Sequence, residues 1–399
     1  MSKAATRQFW TAVHRYLGLA IMAFLLIAAV TGCLLCVDKP IDAALNPDLF
    51  RTGAAGATLS PVEAIERLER ARPDLVATQF PLRTRPGRTI KVIVAARDAK
   101  APLGFDQVFV DPHGGRIVGV RQSGPGLGRR HIVDAVFALH YTLLAGRWGR
   151  WLMGVAALGW LIGNGVGLYL TLPAARPFWR KWRRIWAIDL RARLARLMLD
   201  LHRASGLWLL IGLTVLAFTS VSMNFFDEAF TPVVSAISPA RPSPFDRPPS
   251  RSSGDGARPI GFRQALTAAE QLAHQQALQW RPAVGIWLPD RGLYGVAFTR
   301  SGYEAYRGLG PVTYYLDGQS GRFVYADDPY HDSAGRKFSR ALYPLHSGEV
   351  AGPIGVAVIF LLGLATVQMC VTGFYVWWKK RQGRVATKRT ERLAGVSSL

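Results

Sequence analysis

"HRYLGLA" at residues 14–20 and "HRASGLW" at residues 202–208 each set a His-Arg pair at the head of an apolar stretch. His14, Arg15, Gly18 and Leu19 meet His202, Arg203, Gly206 and Leu207 at a constant offset of 188, and Ala29 and Thr31 then meet Ala217 and Thr219. A second register runs at an offset of 206: Asp111, Gly115, Arg116 and Val118 of "DPHGGRIVG" meet Asp317, Gly321, Arg322 and Val324. It continues without a gap, matching Arg130, Ala135, Leu139, His140, Gly146, Gly149, Gly167 and Tyr169 to Arg336, Ala341, Leu345, His346, Gly352, Gly355, Gly373 and Tyr375. The chain therefore reads as two copies of one unit: helix, outward domain, helix. The two offsets differ by 18 residues, and the Pro/Ser/Gly-rich stretch 238–259, "SPARPSPFDRPPSRSSGDGARP", reads as the inserted flexible linker.

Half of the 399 residues are hydrophobic although the net charge is +23, so the apolar residues must be concentrated. Tyr16–Leu35, Trp151–Leu172, Leu207–Phe226 and Ile354–Trp378 are each nearly free of charge and about as long as the ~20 residues that cross a bilayer as a helix. An α-helical membrane protein with four transmembrane helices is expected, its two repeats parallel because each unit crosses twice. The Lys and Arg residues crowd before the first span, between the second and third, and after the fourth, which four spans put on one side. That placement makes the positive charge a topology signal and argues against nucleic acid as a partner. Both termini are expected in the cytoplasm of a bacterium, in the inner membrane. The first apolar stretch has no small-residue cleavage site after it and reads as a retained helix.

The expected organisation is an N-terminal segment with the first span (1–37), an outward module (38–130), an interfacial segment with the second span (131–172) and a basic loop (173–200). The third span (201–226), a second module with the linker (227–345), the fourth span (346–378) and a basic tail (379–399) follow. Each module is a small α+β piece. In the first, "SPVEAIERLERARP" is a helix with a Ser-Pro start, "TIKVIVAA" an alternating strand and "FDQVFVDPHGGRIVGV" a hairpin; "GFRQALTAAEQLAHQQA", "LYGVAFT" and "VTYYLDGQSGRFVYA" repeat that order. His113 in the first hairpin turn and His274 on the second helix read as surface residues. Cys33, Cys36 and Cys370 read as small fillers of apolar helices, and no CxxCH is present for covalent haem attachment.

Four histidines are tied to the repeat. His14 and His202 open spans that run outward, so they sit near the cytoplasmic face; His140 and His346 precede spans that run inward, so they sit near the outer face. Ionisable groups at membrane depth are costly and mark functional sites. A symmetric imidazole pair at each surface is a candidate ligand set for zinc, copper or haem iron. Zinc normally takes further Cys, His or carboxylate ligands, and none is repeated at these helix ends. A bis-imidazole haem needs two ligands and a slot lined by small and apolar residues, for which Gly18, Gly206, Gly146, Gly352, Gly149, Gly355, Gly167 and Gly373 are candidates, although helix packing explains such glycines equally well. Arg15 and Arg203 beside the inner histidines, and Arg147 and Arg150 near the outer ones, are candidate partners for haem propionates.

These residues, together with the Leu-His before each inward helix and the α+β modules, resemble the PepSY-associated transmembrane family over nearly the whole chain. Within it the chain is similar to the inner-membrane ferric-siderophore reductases and related iron-regulated membrane proteins. The resemblance implies two b-type haems, held by His14 with His202 and by His140 with His346, and periplasmic PepSY-like modules. It also implies delivery of electrons to a ferric siderophore or other Fe(III) chelate, which releases Fe(II) for iron uptake. No dinucleotide or flavin fingerprint is present to identify the electron donor, and a quinol and a cytoplasmic reductase meeting the basic 173–200 loop are both open. Membrane lipid is the remaining partner. Two other classes stand beside this one: a non-enzymatic PepSY-type regulator, and an accessory subunit or permease of a metal-uptake system. Against the permease, the spans carry no paired carboxylates, and no broken helices of the transporter kind are expected.

Overall fold

The protein, in a computed structural model, is described over residues 2–396 apart from 54–55, 99, 240–242, 247–259 and 304–306, with side chains to residue 385. Most of the 238–259 linker lies outside the described residues. The same order of elements occurs twice. The first half runs through α1 (Lys3–Leu35), two short connecting helices α2 (Asp38–Leu45) and α3 (Pro47–Phe50), then α4 (Pro61–Ala71). Strands β1 (Leu75–Pro81), β2 (Ile90–Ala96), β3 (Gln107–Val110) and β4 (Ile117–Arg121) follow, then α5 (Ile132–Thr142) and α6 (Gly146–Thr171). A short basic helix α7 (Phe178–Arg183) leads into the second half, which begins with α8 (Leu194–Trp208), α9 (Leu210–Asn224) and α10 (Thr231–Ile237). It continues with α11 (Phe262–Gln275), β5 (Arg281–Leu288), β6 (Leu293–Thr299), β7 (Val312–Asp317), β8 (Phe323–Asp327), α12 (Ala334–Ser347) and α13 (Gly352–Val396).

The chain is a membrane protein. Among the described residues, three helices are long and apolar enough to cross a bilayer: Lys3–Leu35, Gly146–Thr171 and Glu349–Val385. The expected third span is not one helix. It is broken into α8 and α9 at Leu209, with a bend of 72°, so the expectation of unbroken spans is overturned. No proline lies in this stretch, but Ser205-Gly206 precede the break, and such pairs are among the usual causes of sharp kinks. Trp208, at the last turn of α8, is tied sideways by its indole N–H to the Trp186 carbonyl at 3.1 Å.

The two α+β segments do not form separate modules. All eight strands make one antiparallel sheet in the order β4-β3-β2-β1-β5-β6-β7-β8, with the halves joined at the centre by β1 and β5. Gln79 pairs with Ile286, Phe80 with Gly285 and Pro81 with Val284. Phe80 lies over Gly285, where an added Cβ would stand 3.0 Å from the ring. β1 and β5 are the two strands absent from the sequence reading. Each carries a proline, and β5 also a glycine, residues that weaken a strand pattern. Joining the halves lets α4 and α11 share one core, in which Ile65 and Leu68 of α4 and Ala265 and Ala269 of α11 are buried against alternate residues such as Val92, Val108, Phe298 and Tyr314. Ser60 caps α4 by accepting from the Glu63 N–H, as its Ser-Pro start leads one to expect.

The hairpin turns are built alike. The Gly115 N–H donates to the Asp111 carbonyl and the Gly321 N–H to the Asp317 carbonyl, each at 2.8–2.9 Å, and both glycines have φ near +70°, a conformation glycine adopts without strain. His113 and His274 are surface residues, the former bonded through Nδ1 to the Gly56 carbonyl.

A buried ion pair fixes the first half of the sheet to the bundle. Asp42 of α2 accepts from Arg121 at the end of β4 at 2.8 Å, with the Arg121 side chain 5% exposed, and Arg121 Nε also donates to Gln107. The equivalent position in the second half holds the opposite charge: Asp327, paired with Arg340 of α12 at 2.8 Å. Asp42→Ala strands the buried guanidinium, and the expected loss is about 3–5 kcal/mol of local stability. This is measured as faster hydrogen exchange across β3 and β4 in detergent; Asp48→Ala, on the exposed Arg129 and Arg130, should leave those amides protected.

Candidate functional site

The four repeat histidines come together as two pairs, one at each end of the helical bundle. His14 of α1 and His202 of α8 have ring centroids 6.4 Å apart, near the end where the basic loop and tail emerge. His140, in the last turn of α5, and His346, in the last turn of α12, have centroids 6.1 Å apart at the end beneath the sheet. The sequence paired them in this way.

The ring nitrogens are oriented by threonines and carbonyls of the opposing helices. The Thr31 hydroxyl donates to the Ile27 carbonyl at 2.6 Å, so its oxygen is left to accept from His140 Nδ1 at 3.0 Å; the Ala28 carbonyl accepts from the same N–H at 3.0 Å. Thr219, the repeat partner of Thr31, donates to the Val215 carbonyl and accepts from His346 Nδ1 at 3.1 Å. Thr372 donates to the Gln368 carbonyl at 2.8 Å, and its oxygen and the Met369 carbonyl receive His202 Nδ1 at 3.2 and 3.1 Å. In all three rings the proton is therefore placed on Nδ1, which leaves Nε2 with a bare lone pair. His14 differs. The equivalent of Thr372 on α6 is Val166, with no hydroxyl to offer, and His14 Nδ1 faces the Gly163 carbonyl without closing a hydrogen bond.

Glycines seat three of the rings. A Cβ added at Gly167 would stand 3.2 Å from His14 Cε1, at Gly373 3.1 Å from His202 Cε1, and at Gly32 3.2 Å from His140 Cε1. Of the other repeated glycines, Gly146 and Gly352 line neither cavity and take positive φ at the start of α6 and α13, and the remaining four divide into two roles. Gly18 and Gly206 line the cavity at the basic end. Gly149 and Gly355 instead let the bundle helices abut the preceding turns, where an added Cβ would overlap the Thr142 and Gly348 carbonyls.

Each pair opens into a cavity, of about 710 Å³ at the sheet end and about 400 Å³ at the basic end. Leu25, Trp160 and Thr366 line both. The donor set fits a bis-imidazole haem. Two imidazoles on opposite faces of one metal, each bonded at about 2.0 Å, with ~1.15 Å from nitrogen to ring centre, have centroids about 6.3 Å apart. Among the described residues, no three His, Cys, Asp or Glu side chains form a metal-holding group.

The arginines separate. Arg15 and Arg203 line the basic-end cavity, together with Arg7, Lys380 and Arg384, which the sequence reading did not single out. Their signal was present in the topology, since α13 continues past its apolar part and carries its cations into the cavity rim. Arg150 lines the sheet-end cavity but is ion-paired with Glu228. The Trp151 indole N–H that donates to Glu228 at 2.8 Å, with Arg150 beside it, holds that carboxyl below the usual carboxylate range. Arg147, one helical turn before Arg150 on the same face of α6, is not among the residues lining that cavity; its guanidinium stacks over Trp148 and Trp151. Cys33 and Cys370 donate to the Phe360 and Met22 carbonyls across helix contacts, as fillers do, and Cys36 lines the sheet-end cavity.

A family model described as "PepSY-associated TM region" matches residues 11–380, which include all four histidines, the sheet, and the cavity linings except Arg7 and Arg384. The chain belongs to the PepSY-associated TM family. Among curated proteins, none matches the chain. The match spans both halves of this PepSY-associated TM protein and so takes in the centre of the sheet, where the halves join.

Proposed function

We propose that this PepSY-associated TM protein is a dihaem electron-transfer protein of the bacterial inner membrane that reduces a ferric siderophore or similar Fe(III) chelate on its periplasmic, sheet-bearing side. The observation that carries the reading is the pair of imidazole couples, each with centroids 6.1–6.4 Å apart and each opening into its own cavity. When bound, two b-type haems supply one-electron transfer along the bundle, so that Fe(III) is released from its hard-oxygen chelator as Fe(II).

The chain's residues prepare the site for this. Thr31, Thr219 and Thr372 hold the Nδ1 protons and so present Nε2 to the metal, the outer-shell arrangement that orients imidazole ligands. Gly167, Gly373 and Gly32 leave room for the rings. Arg15 and Arg203 are placed to pair with propionates at the basic end, and Arg150 at the sheet end. Trp160 and its neighbours exclude water between the two cavities and keep them within a few side chains of each other. A quinol or a cytoplasmic reductase meeting the basic loop is the electron source in this reading.

The permease alternative gains one feature, the break between α8 and α9. It still lacks carboxylates at mid-span: Asp200 is ion-paired with Arg196 at 2.9 Å near the basic end, and Glu349 lies at the sheet-end start of the last span.

Membranes carrying the protein should give a reduced-minus-oxidised spectrum of b-type haem. His14→Ala or His202→Ala should remove about half of the haem, and His140→Ala or His346→Ala the other half; full haem in all four variants would refute the ligand assignment. Gly373→Val, which crowds His202, should mimic His202→Ala. Stopped-flow oxidation of the reduced protein by a ferric chelate tests the substrate, and a reduced protein that no ferric chelate oxidises would leave the relay without its acceptor.

A further inference from the structure

The two cavities differ in charge. The basic-end cavity is lined by Arg7, Arg15, Arg203, Lys380 and Arg384, and by no carboxylate. The sheet-end cavity is lined by Asp38, Asp227 and Glu349, with Lys39 and with Arg150, whose charge is answered by Glu228. Arg7 spends part of its charge on the Leu170 and Leu172 carbonyls at the end of α6, and Asp200, outside the cavity, is occupied by Arg196. The contrast survives both corrections, and it survives the pairing of Arg15 and Arg203 with propionates: Lys380 and Arg384 remain as further cations at one imidazole pair, and a net negative rim faces the other.

We infer that this contrast sets the order of the two redox centres, making the His14–His202 site the more easily reduced and the His140–His346 site the stronger reductant. The inference rests on the proposed dihaem function. Its physical basis is the charge of the step itself. One electron arriving at a metal between two neutral imidazoles removes one unit of positive charge from the site, so nearby cations favour the reduced form and nearby carboxylates the oxidised form. The electron is therefore held at the basic end until it is drawn on, and the site next to the ferric chelate delivers it with the greater driving force. Outward movement against this order is assisted by a membrane potential that is negative on the basic side.

The consequence is a specific set of titratable charges rather than a general electrostatic field. Lys380 and Arg384 lie on α13 beyond the ligand helices, so they can be neutralised without altering a histidine or the arginines beside it. Two unit charges about 10 Å from the metal change the electron equilibrium by about fourfold at the dielectric of bulk water, and by more than a hundredfold at an effective dielectric of about 20.

The test is a spectroelectrochemical titration of the purified holoprotein in detergent at low ionic strength. His346→Ala and His14→Ala supply the single-site spectra that assign each wave. The wild type should show the His14–His202 site reduced first. Lys380→Gln with Arg384→Gln should lower the ratio of reduced basic-end to reduced sheet-end centre at least fourfold, leaving total haem and the sheet-end wave unchanged, and added salt should diminish the effect. Asp227→Asn should shift only the sheet-end wave, toward easier reduction. Two haems titrating in the opposite order, or a basic-end wave indifferent to the double substitution, would overturn the inference while leaving the dihaem reading intact. Protein without a Soret band would overturn both.

Discussion

Three of the four imidazoles are anchored in the same way: a threonine one helix away gives its own proton to a carbonyl of the preceding turn and turns its oxygen toward Nδ1. This fixes where each threonine-bearing helix must lie relative to its histidine. α1 must face α5, α9 must face α12, and α13 must face α8. The bundle is thus organised by the need to anchor the rings, and the nitrogen left over on each ring is the one that points to chemistry.

Duplication explains the economy of the design and also where it departs from symmetry. Thr31 and Thr219 stand at matched positions, as do Gly167 and Gly373. Thr372 has Val166 as its counterpart, so His14 lacks the anchor that His202 has. At the matched ends of β4 and β8, Arg121 faces Asp42 and Asp327 faces Arg340; the ion pair is kept while its polarity is reversed. The break at Leu209 has no equivalent in α1, which is continuous through Ile21 at the same register. The two halves therefore share a plan but not a surface, and the difference in charge between the cavities is one expression of this.

Much of the site was legible in the sequence because helical spans convert spacing into depth. Twenty apolar residues have only one arrangement that satisfies their backbone in a membrane, and a histidine at a given distance from the end of a span has a calculable height. The pairing of His14 with His202 and of His140 with His346 followed from that alone. What was not legible depends on contacts far apart in the chain. The sheet closes through β1 and β5, about two hundred residues apart, and Pro81, Pro282 and Gly285 hide both strands from an alternation test. Arg147 and Arg150 looked equivalent because, three residues apart, they share one face of α6; the turn between them separates a guanidinium stacked on tryptophans from one that lines the cavity, a difference in height that spacing alone does not settle.

The joined sheet matters to function because of where it puts rigidity. Two independent modules on flexible connections would leave α5 and α12 free to move separately, and with them His140 and His346. In one eight-stranded sheet, β4 leads into α5 and β8 into α12, so the sheet sets the spacing of the two helices that carry the sheet-end pair. Asp42 and Arg121 bind the first edge to α2, and Asp327 with Arg336 and Arg340 binds the second edge to α12 itself. The basic-end pair needs no such frame, since its ligands lie within α1 and α8 of the bundle. The sheet-end pair is thus the one whose spacing is tied to the sheet, while the spacing of the basic-end pair is set by helix packing alone.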